Sequence, residues 1–176
     1  MLGRSLQPPG NPADATRPDQ CCRDREPDMF QEIDPTAAKQ QLDDGSAIYL
    51  DVRSQREFAE GHVPGALNIP IFDFDGAGMM APNHDFPRVV AAVVPRDVKV
   101  IIGCKSGQRS AQAAEYMTQA GWQRVCNLLG GLHGQTNMLG QRTQPGWLGS
   151  GLPVTNAEEN GRTYLELRAR ADESAR

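Results

Sequence analysis

The sequence predicts an α/β domain in which a mostly parallel sheet is covered by helices on both faces, and three observations carry that expectation. Val98-Lys99-Val100-Ile101-Ile102 is a β-branched run without the apolar/polar alternation of a half-exposed strand, as suits the centre of a sheet buried on both sides. Shorter apolar runs at 47–52, 66–71 and 125–129 alternate with segments of helical composition. Strands separated in this way by helices pair in parallel through right-handed crossovers.

The elements follow in order along 176 residues, about the length of one domain. Residues 1–28 hold five of the 13 prolines (Pro8, Pro9, Pro12, Pro18, Pro27) among Asp and Arg, which predicts a disordered arm outside the fold. Asp34-Pro35 sets a capping side chain before a proline at the first helical position, so a helix runs through 36–42 until Gly45. The strand 47–52 is followed by Ser54-Gln55-Arg56-Glu57, the spacing of a capping box, and by a short helix closed by Gly61. Gly61-His62-Val63-Pro64-Gly65 is a tight connection to the strand 66–71, and the stretch through Asp73, Gly76, Gly78, Pro82 and Pro87 is expected to be mostly loop. A brief helix at 86–94 ends at Pro95, and after the strand 98–102 a helix over 111–120 stops at Gly121.

Composition excludes several classes of function. Eighteen basic against 22 acidic residues give a net charge of −4, spread evenly along the chain, so no basic stripe is available to follow a phosphate backbone and no nucleic-acid partner is expected. No apolar run reaches the roughly 18 residues of a membrane span, and none resembles a secretory signal. No membrane partner is therefore expected, and a cytoplasmic location follows. Four cysteines are too few for a disulfide scaffold. Cys21 and Cys22 fall in the arm, and Cys126 lies in an apolar run as a small buried hydrophobe. No spacing of Cys and His suggests a metal, and no motif suggests an organic cofactor.

Cys104 is different because of its place. In an open parallel sheet the ligand site lies beyond the carboxyl ends of the strands, where helices begin. There the chain reads Gly103-Cys104-Lys105-Ser106-Gly107-Gln108-Arg109-Ser110. Gly103 and Gly107 let the backbone curl so that N–H groups point inward, and the helix that follows adds its positive end. With Lys105 and Arg109 nearby, this favours a nucleophilic thiolate at Cys104 facing an anion held by Lys105, Ser106, Gly107, Gln108 and Arg109. A purely structural turn has no need for such a succession of polar residues. Asp51 and Arg53 end the first core strand on the same side, either bracing this loop or forming a surface pair, whereas Glu57 reads most simply as a cap. His62 reads as structural, and His84 and His133 show no clear relation to the loop.

Leu50-Asp51-Val52-Arg53, Glu57-Phe58, Gly61-His62-Val63-Pro64-Gly65-Ala66 and Asn68-Ile69-Pro70, followed by Cys104-Lys105-Ser106-Gly107-Gln108-Arg109-Ser110, closely resemble the rhodanese family of sulfurtransferases, single-domain type, over residues 29–154. The resemblance implies a five-stranded, largely parallel α/β domain and a catalytic cysteine, here Cys104, that carries sulfane sulfur as a persulfide. Thiosulfate is the implied donor, and cyanide, a small thiol or a thiol-carrying protein the acceptor. Two alternatives share the architecture. Cysteine phosphatases and arsenate reductases of this fold have five residues between cysteine and arginine; this chain has four, Lys105 to Gln108, which favours sulfur over phosphate. A non-catalytic binding module commonly lacks the cysteine that is present here. The family's Gly-Gly, three residues and Trp pattern is interrupted. Gly130-Gly131 is separated from Trp147 by residues 132–146, which read as an insertion, while Trp147 keeps its spacing to Gly151-Leu152-Pro153-Val154. For the tail, 155–176, a short packed helix and an unstructured segment both stand open.

Overall fold

The computed structural model describes residues 29–157 and 159–174. The predicted arm, with Cys21 and Cys22, lies outside the described residues.

Five parallel strands form the sheet. They are β1 (Gln31–Ile33), β2 (Ala47–Asp51), β3 (Leu67–Asn68), and two strands of the second half, Lys99–Gly103 and Val125–Leu128. Between β3 and the Lys99 strand lie β4 (Phe72–Phe74) and β5 (Met80–Pro82), an antiparallel pair, so the Lys99 strand is β6 and the Val125 strand β7. The order β1-β7-β6-β2-β3 puts β6 in the middle, where its β-branched run predicts it. All five of its residues are buried. Val100 and Ile102 face one core and Ile101 the other, and in β2 Leu50 separates from Tyr49 in the same way, as the two-residue period of a strand requires.

Helices cover both faces. On one side lie α1 (Pro35–Asp43) and α2 (Gln55–Glu60), which contribute Ala38 and Phe58 to one core. On the other lie α3 (Phe86–Val93) and α4 (Gln108–Gln119), which contribute Val89, Val90, Ala113 and Met117 to the second core. Both predicted caps form. The Asp34 carboxylate accepts from Thr36 N–H at 2.8 Å, and Ser54 and Glu57 make the reciprocal capping box of α2.

The structure differs from the sequence reading, or adds to it, at several places. The stretch after Ile71 is not all loop, since β4 and β5 pair there from Phe72↔Pro82 to Phe74↔Met80. The strand expected over 66–71 is reduced to Leu67–Asn68, after which Ile69 N–H and Ile71 N–H still donate to Asp51 O and Val52 O of the neighbouring strand. β1 was not visible in the sequence, and α4 begins three residues earlier than composition suggests, directly after Gly107. The packed unit also extends past position 154. Thr155 bridges to His62, and Gly65 N–H donates to the Glu159 carboxylate. Residues Tyr164–Ser174 form a helix, with Tyr164, Leu167 and Ala171 buried in the core of α3 and α4. Leu167 is fully buried and Leu165 is 66% exposed. Leu167→Ala is therefore expected to cost about 2–5 kcal/mol in urea unfolding, and Leu165→Ala little. Equal effects would show that this helix does not pack as described.

Residues 132–146 form an excursion whose ends meet. A short antiparallel pair, β8 (Gln135–Thr136) and β9 (Arg142–Gln144), leads into the four-residue helix α5 (Gly146–Gly149), which makes the C-terminal helix α6. Trp147 N–H donates to Gly131 O and Leu148 N–H to Leu132 O, both at 2.9 Å. A Cβ on Gly146 would stand 2.4 Å from Gly134 N, so the close return needs glycine there. Trp147 is thereby delivered next to Gly131 despite the added length. It is fully buried, edge-on to Tyr49, with its Nε1 donating to Pro153 O at 2.8 Å.

Candidate active site

The site is built where β6 stops and α4 starts. Cys104 follows β6 directly and is 1% exposed. Its Sγ receives Gly107 N–H at 3.2 Å, and Ser110 Oγ lies 3.3 Å away. The same hydroxyl is 3.1 Å from Gly107 O, so its single proton serves one of two acceptors. The sulfur thus faces a backbone donor at the head of α4.

The two glycines have different roles from the common one expected of them. Gly107 has φ 97°, in the left-handed region, and caps α4. Gly103 is an ordinary strand residue. A Cβ on it would come within 1.8 Å of the Tyr49 hydroxyl, so its role is to admit the phenol rather than to bend the chain. Burial holds the Tyr49 phenol well above its usual pKa.

The loop's polar side chains divide. Lys105 is exposed and lines the cavity described below, Ser106 accepts at its carbonyl from the Gln135 side-chain amide, and Gln108 is the exposed first residue of α4. Arg109 does not stand as an unpaired cation beside the sulfur. Its two terminal nitrogens each donate to a Glu57 oxygen at 2.7 Å, a bidentate pair joining α4 to α2. Glu57 is therefore more than a cap. Burial pushes its carboxyl up, but the Arg109 pair and the Ser54 bonds outweigh this and hold it at about 2.

A carboxyl that titrates below its ordinary 4.5 stabilises the fold fully above about pH 4.5, and that contribution is lost as the pH falls toward 2. Glu57→Gln is expected to be less stable than the parent at neutral pH, with the gap closing through that window in urea melts at stepped pH. A gap of constant size down to the acid limit would contradict the pairing.

Asp51 and Arg53 form neither a surface pair nor a direct brace on the loop. Their side chains are 1% and 2% exposed, with Arg53 Nη2 2.6 Å from Asp51 Oδ2. Arg53 also donates to Gly61 O at 2.7 Å, and Asn68 Nδ2 donates to both backbone carbonyls, Asp51 O and Arg53 O. Burial works against the Arg53 cation, but Asp51 more than compensates, and its pKa is raised. The pair fixes the turn between β2 and α2.

A cavity of about 220 Å³ opens beside the loop, lined by Arg53, Glu57, Lys105, Leu132, His133 and Leu148 among others. His133, which showed no relation to the loop in sequence, donates its backbone N–H to Lys105 O at 2.9 Å. Its imidazole pKa is lowered by desolvation on the cavity side and by the positive charges of Arg53 and Lys105. His62 is structural, stacked on Phe58 at 3.8 Å with Nδ1 2.9 Å from Phe58 O. Cys126 is buried in β7. Among the described residues no group of three His, Cys, Asp or Glu side chains is gathered to hold a metal.

The family profile of the rhodanese-like domain matches residues 34–137, from the cap of α1 through the cysteine loop. The chain belongs to the rhodanese family. It is 34% identical over 131 residues to a sulfurtransferase of Allochromatium vinosum, covering 74% of this chain and 99% of that one. It is 40% identical over 83 residues to thiosulfate sulfurtransferase 16, chloroplastic, of Arabidopsis thaliana, covering 47% and 68%. A crystal structure of a protein from M. tuberculosis superposes with a TM-score of 0.60 at 29% identity, covering 73% of this rhodanese and 99% of that chain. The five-stranded parallel α/β fold and the sulfurtransferase family are thus established, and with them chemistry between a sulfur donor and an acceptor. Among the described residues no helix is long and apolar enough to cross a membrane.

Proposed function

We propose that this rhodanese moves sulfane sulfur from thiosulfate, or a similar donor, to cyanide or a thiol acceptor through a persulfide on Cys104. The observation that carries the reading is the Cys104 sulfur at the head of α4 with the Gly107 N–H directed at it. The Cys104 thiolate attacks the outer sulfur of thiosulfate. A new S–S bond forms, the old one breaks, and its electron pair leaves on sulfite. In the second half-reaction the cyanide carbon or an acceptor thiolate attacks the terminal sulfur of the persulfide, and the electron pair returns to Cys104. The two steps balance without an external oxidant or reductant, and one nucleophile used twice gives ping-pong kinetics. Loop N–H groups stabilise the negative charge on the sulfur, in the way an oxyanion hole does. The Glu57–Arg109 pair holds the start of α4 in place. Lys105, on the adjoining cavity, is the cation available to an anionic donor. A thiol-carrying protein remains within the acceptor class, and the proposed setting is the cytoplasm.

Thiosulfate as donor is supported by the name of the Arabidopsis relative and by the four-residue spacing between Cys104 and Arg109. The test sets two substrates side by side. Thiosulfate and cyanide are expected to yield thiocyanate at a rate linear in enzyme, while an aryl phosphate is turned over far more slowly. Fast phosphate release with no thiocyanate would move the chain to the phosphatase class.

A further inference from the structure

Residues 132–135 are tied to the cysteine loop at three successive carbonyls. Leu132 N–H donates to Cys104 O at 2.8 Å, His133 N–H to Lys105 O at 2.9 Å, and the Gln135 side-chain amide to Ser106 O at 2.7 Å. The first two ties are made by main chain and would form with almost any side chain. The third depends on Gln135.

The Ser106 carbonyl and the Gly107 N–H belong to one peptide group. A trans peptide is planar, so its C=O and N–H point in opposite directions. With Gln135 holding the oxygen on one side, the hydrogen is directed to the other, where Cys104 Sγ lies 3.2 Å from Gly107 N. This peptide is also the one in the loop that turns over most easily. Gly107 sits at φ 97°, and rotating the plane by half a turn would carry it to a negative φ open to any residue, the exchange that separates the two common β-turn types. After such a flip, a carbonyl oxygen in place of an N–H would face the sulfur. The Gln135 amide nitrogen packs against the same pivot, 3.3 Å from where a Cβ on Gly107 would be.

We infer that Gln135 is a positioning residue that acts through the 106–107 peptide, keeping the Gly107 N–H on the sulfur carried by Cys104. Gln135 lies in the segment that departs from the family's Gly-Gly-to-Trp spacing, so the excursion has a function in the loop as well as a place on the surface. The inference rests on the proposed role of Cys104 for its effect on rate, but its geometric content can be tested without activity.

Gln135→Leu and Gln135→Ala remove the amide donor. In ¹⁵N-labelled protein, the Gly107 amide proton is expected to shift upfield and exchange faster in both variants. The Leu132 and His133 amides, which make the main-chain ties, are expected to stay as in the parent. In the thiocyanate assay kcat is expected to fall about tenfold, less than for outright removal of a donor to a reacting anion, with the thiosulfate KM little changed. An unchanged Gly107 amide in both variants would overturn the inference, and so would joint loss of all three amide signatures, which would make Gln135 a structural anchor of the hairpin. A parent protein without sulfur transfer would refute the proposed function, and the amide comparison would still decide the role of Gln135.

Discussion

Cys104→Ser is expected to abolish thiocyanate formation while leaving the fold intact. The serine hydroxyl can accept the same Gly107 N–H, and the site is already lined by the hydroxyl of Ser110, so a small polar atom is tolerated there. What is lost is the chemistry, because an alcohol of ordinary pKa is neither an anion at neutral pH nor a group that forms an S–S bond. Cys126→Ser, on the far core in β7, and Cys21→Ser and Cys22→Ser are expected to keep most of the activity, measured under the same assay. A fully active Cys104→Ser protein would refute the assignment of the nucleophile. Ser110→Ala is expected to lower the rate without abolishing it, since Gly107 N–H remains.

The second large effect is on stability. Arg53→Leu is expected to destabilise the domain by about 3–5 kcal/mol, because it leaves the Asp51 carboxylate buried without its cation. It also removes the donor to Gly61 O that closes the turn after α2. The double substitution Asp51→Leu with Arg53→Leu is expected to recover part of the loss, since no unpaired charge is then left in the interior. Denaturant melts of the single and double variants measure both. A single variant as stable as the parent would show that the pair contributes nothing to the turn.

The contrast between these two sites shows what was legible in the sequence. Cys104 could be placed from the chain alone because strand, cysteine, glycine and helix follow one another within a dozen residues, and their meaning is local. The capping box of α2 was readable for the same reason, with both partners three residues apart. The second role of Glu57 was not, because its partner Arg109 lies 52 residues away and a charge on a short helix looks the same whether paired or solvated. Ser110 left a faint signal, a hydroxyl in the first turn of the helix that follows the cysteine. His133 and Gln135 left none, since their contacts with Lys105 and Ser106 depend on how the 132–146 excursion folds back.

The fold divides along the same line. β6 and β2 were visible as apolar runs, but β1 is Gln31-Glu32-Ile33, where only Ile33 is buried and no period can register in three residues. Its strand character comes from parallel pairing with β7, a tertiary contact nearly a hundred residues away. The β4–β5 hairpin, built of half-exposed and exposed residues, was hidden by the same weakness of pattern. Burial of the Asp51–Arg53 pair shows the opposite failure. Two charges at a strand end fit a surface pair as well as a supporting role, and only the bonds from Asn68 and to Gly61 reveal an interior.

The most direct test of the central claim is the intact mass of the purified, reduced protein after incubation with thiosulfate and removal of the excess. A gain of one sulfur atom is predicted, located by peptide mapping to Cys104, discharged on addition of cyanide, and absent in Cys104→Ser. An unchanged mass, or sulfur carried on Cys126 or on the cysteines of the N-terminal segment with Cys104 unmodified, would contradict it.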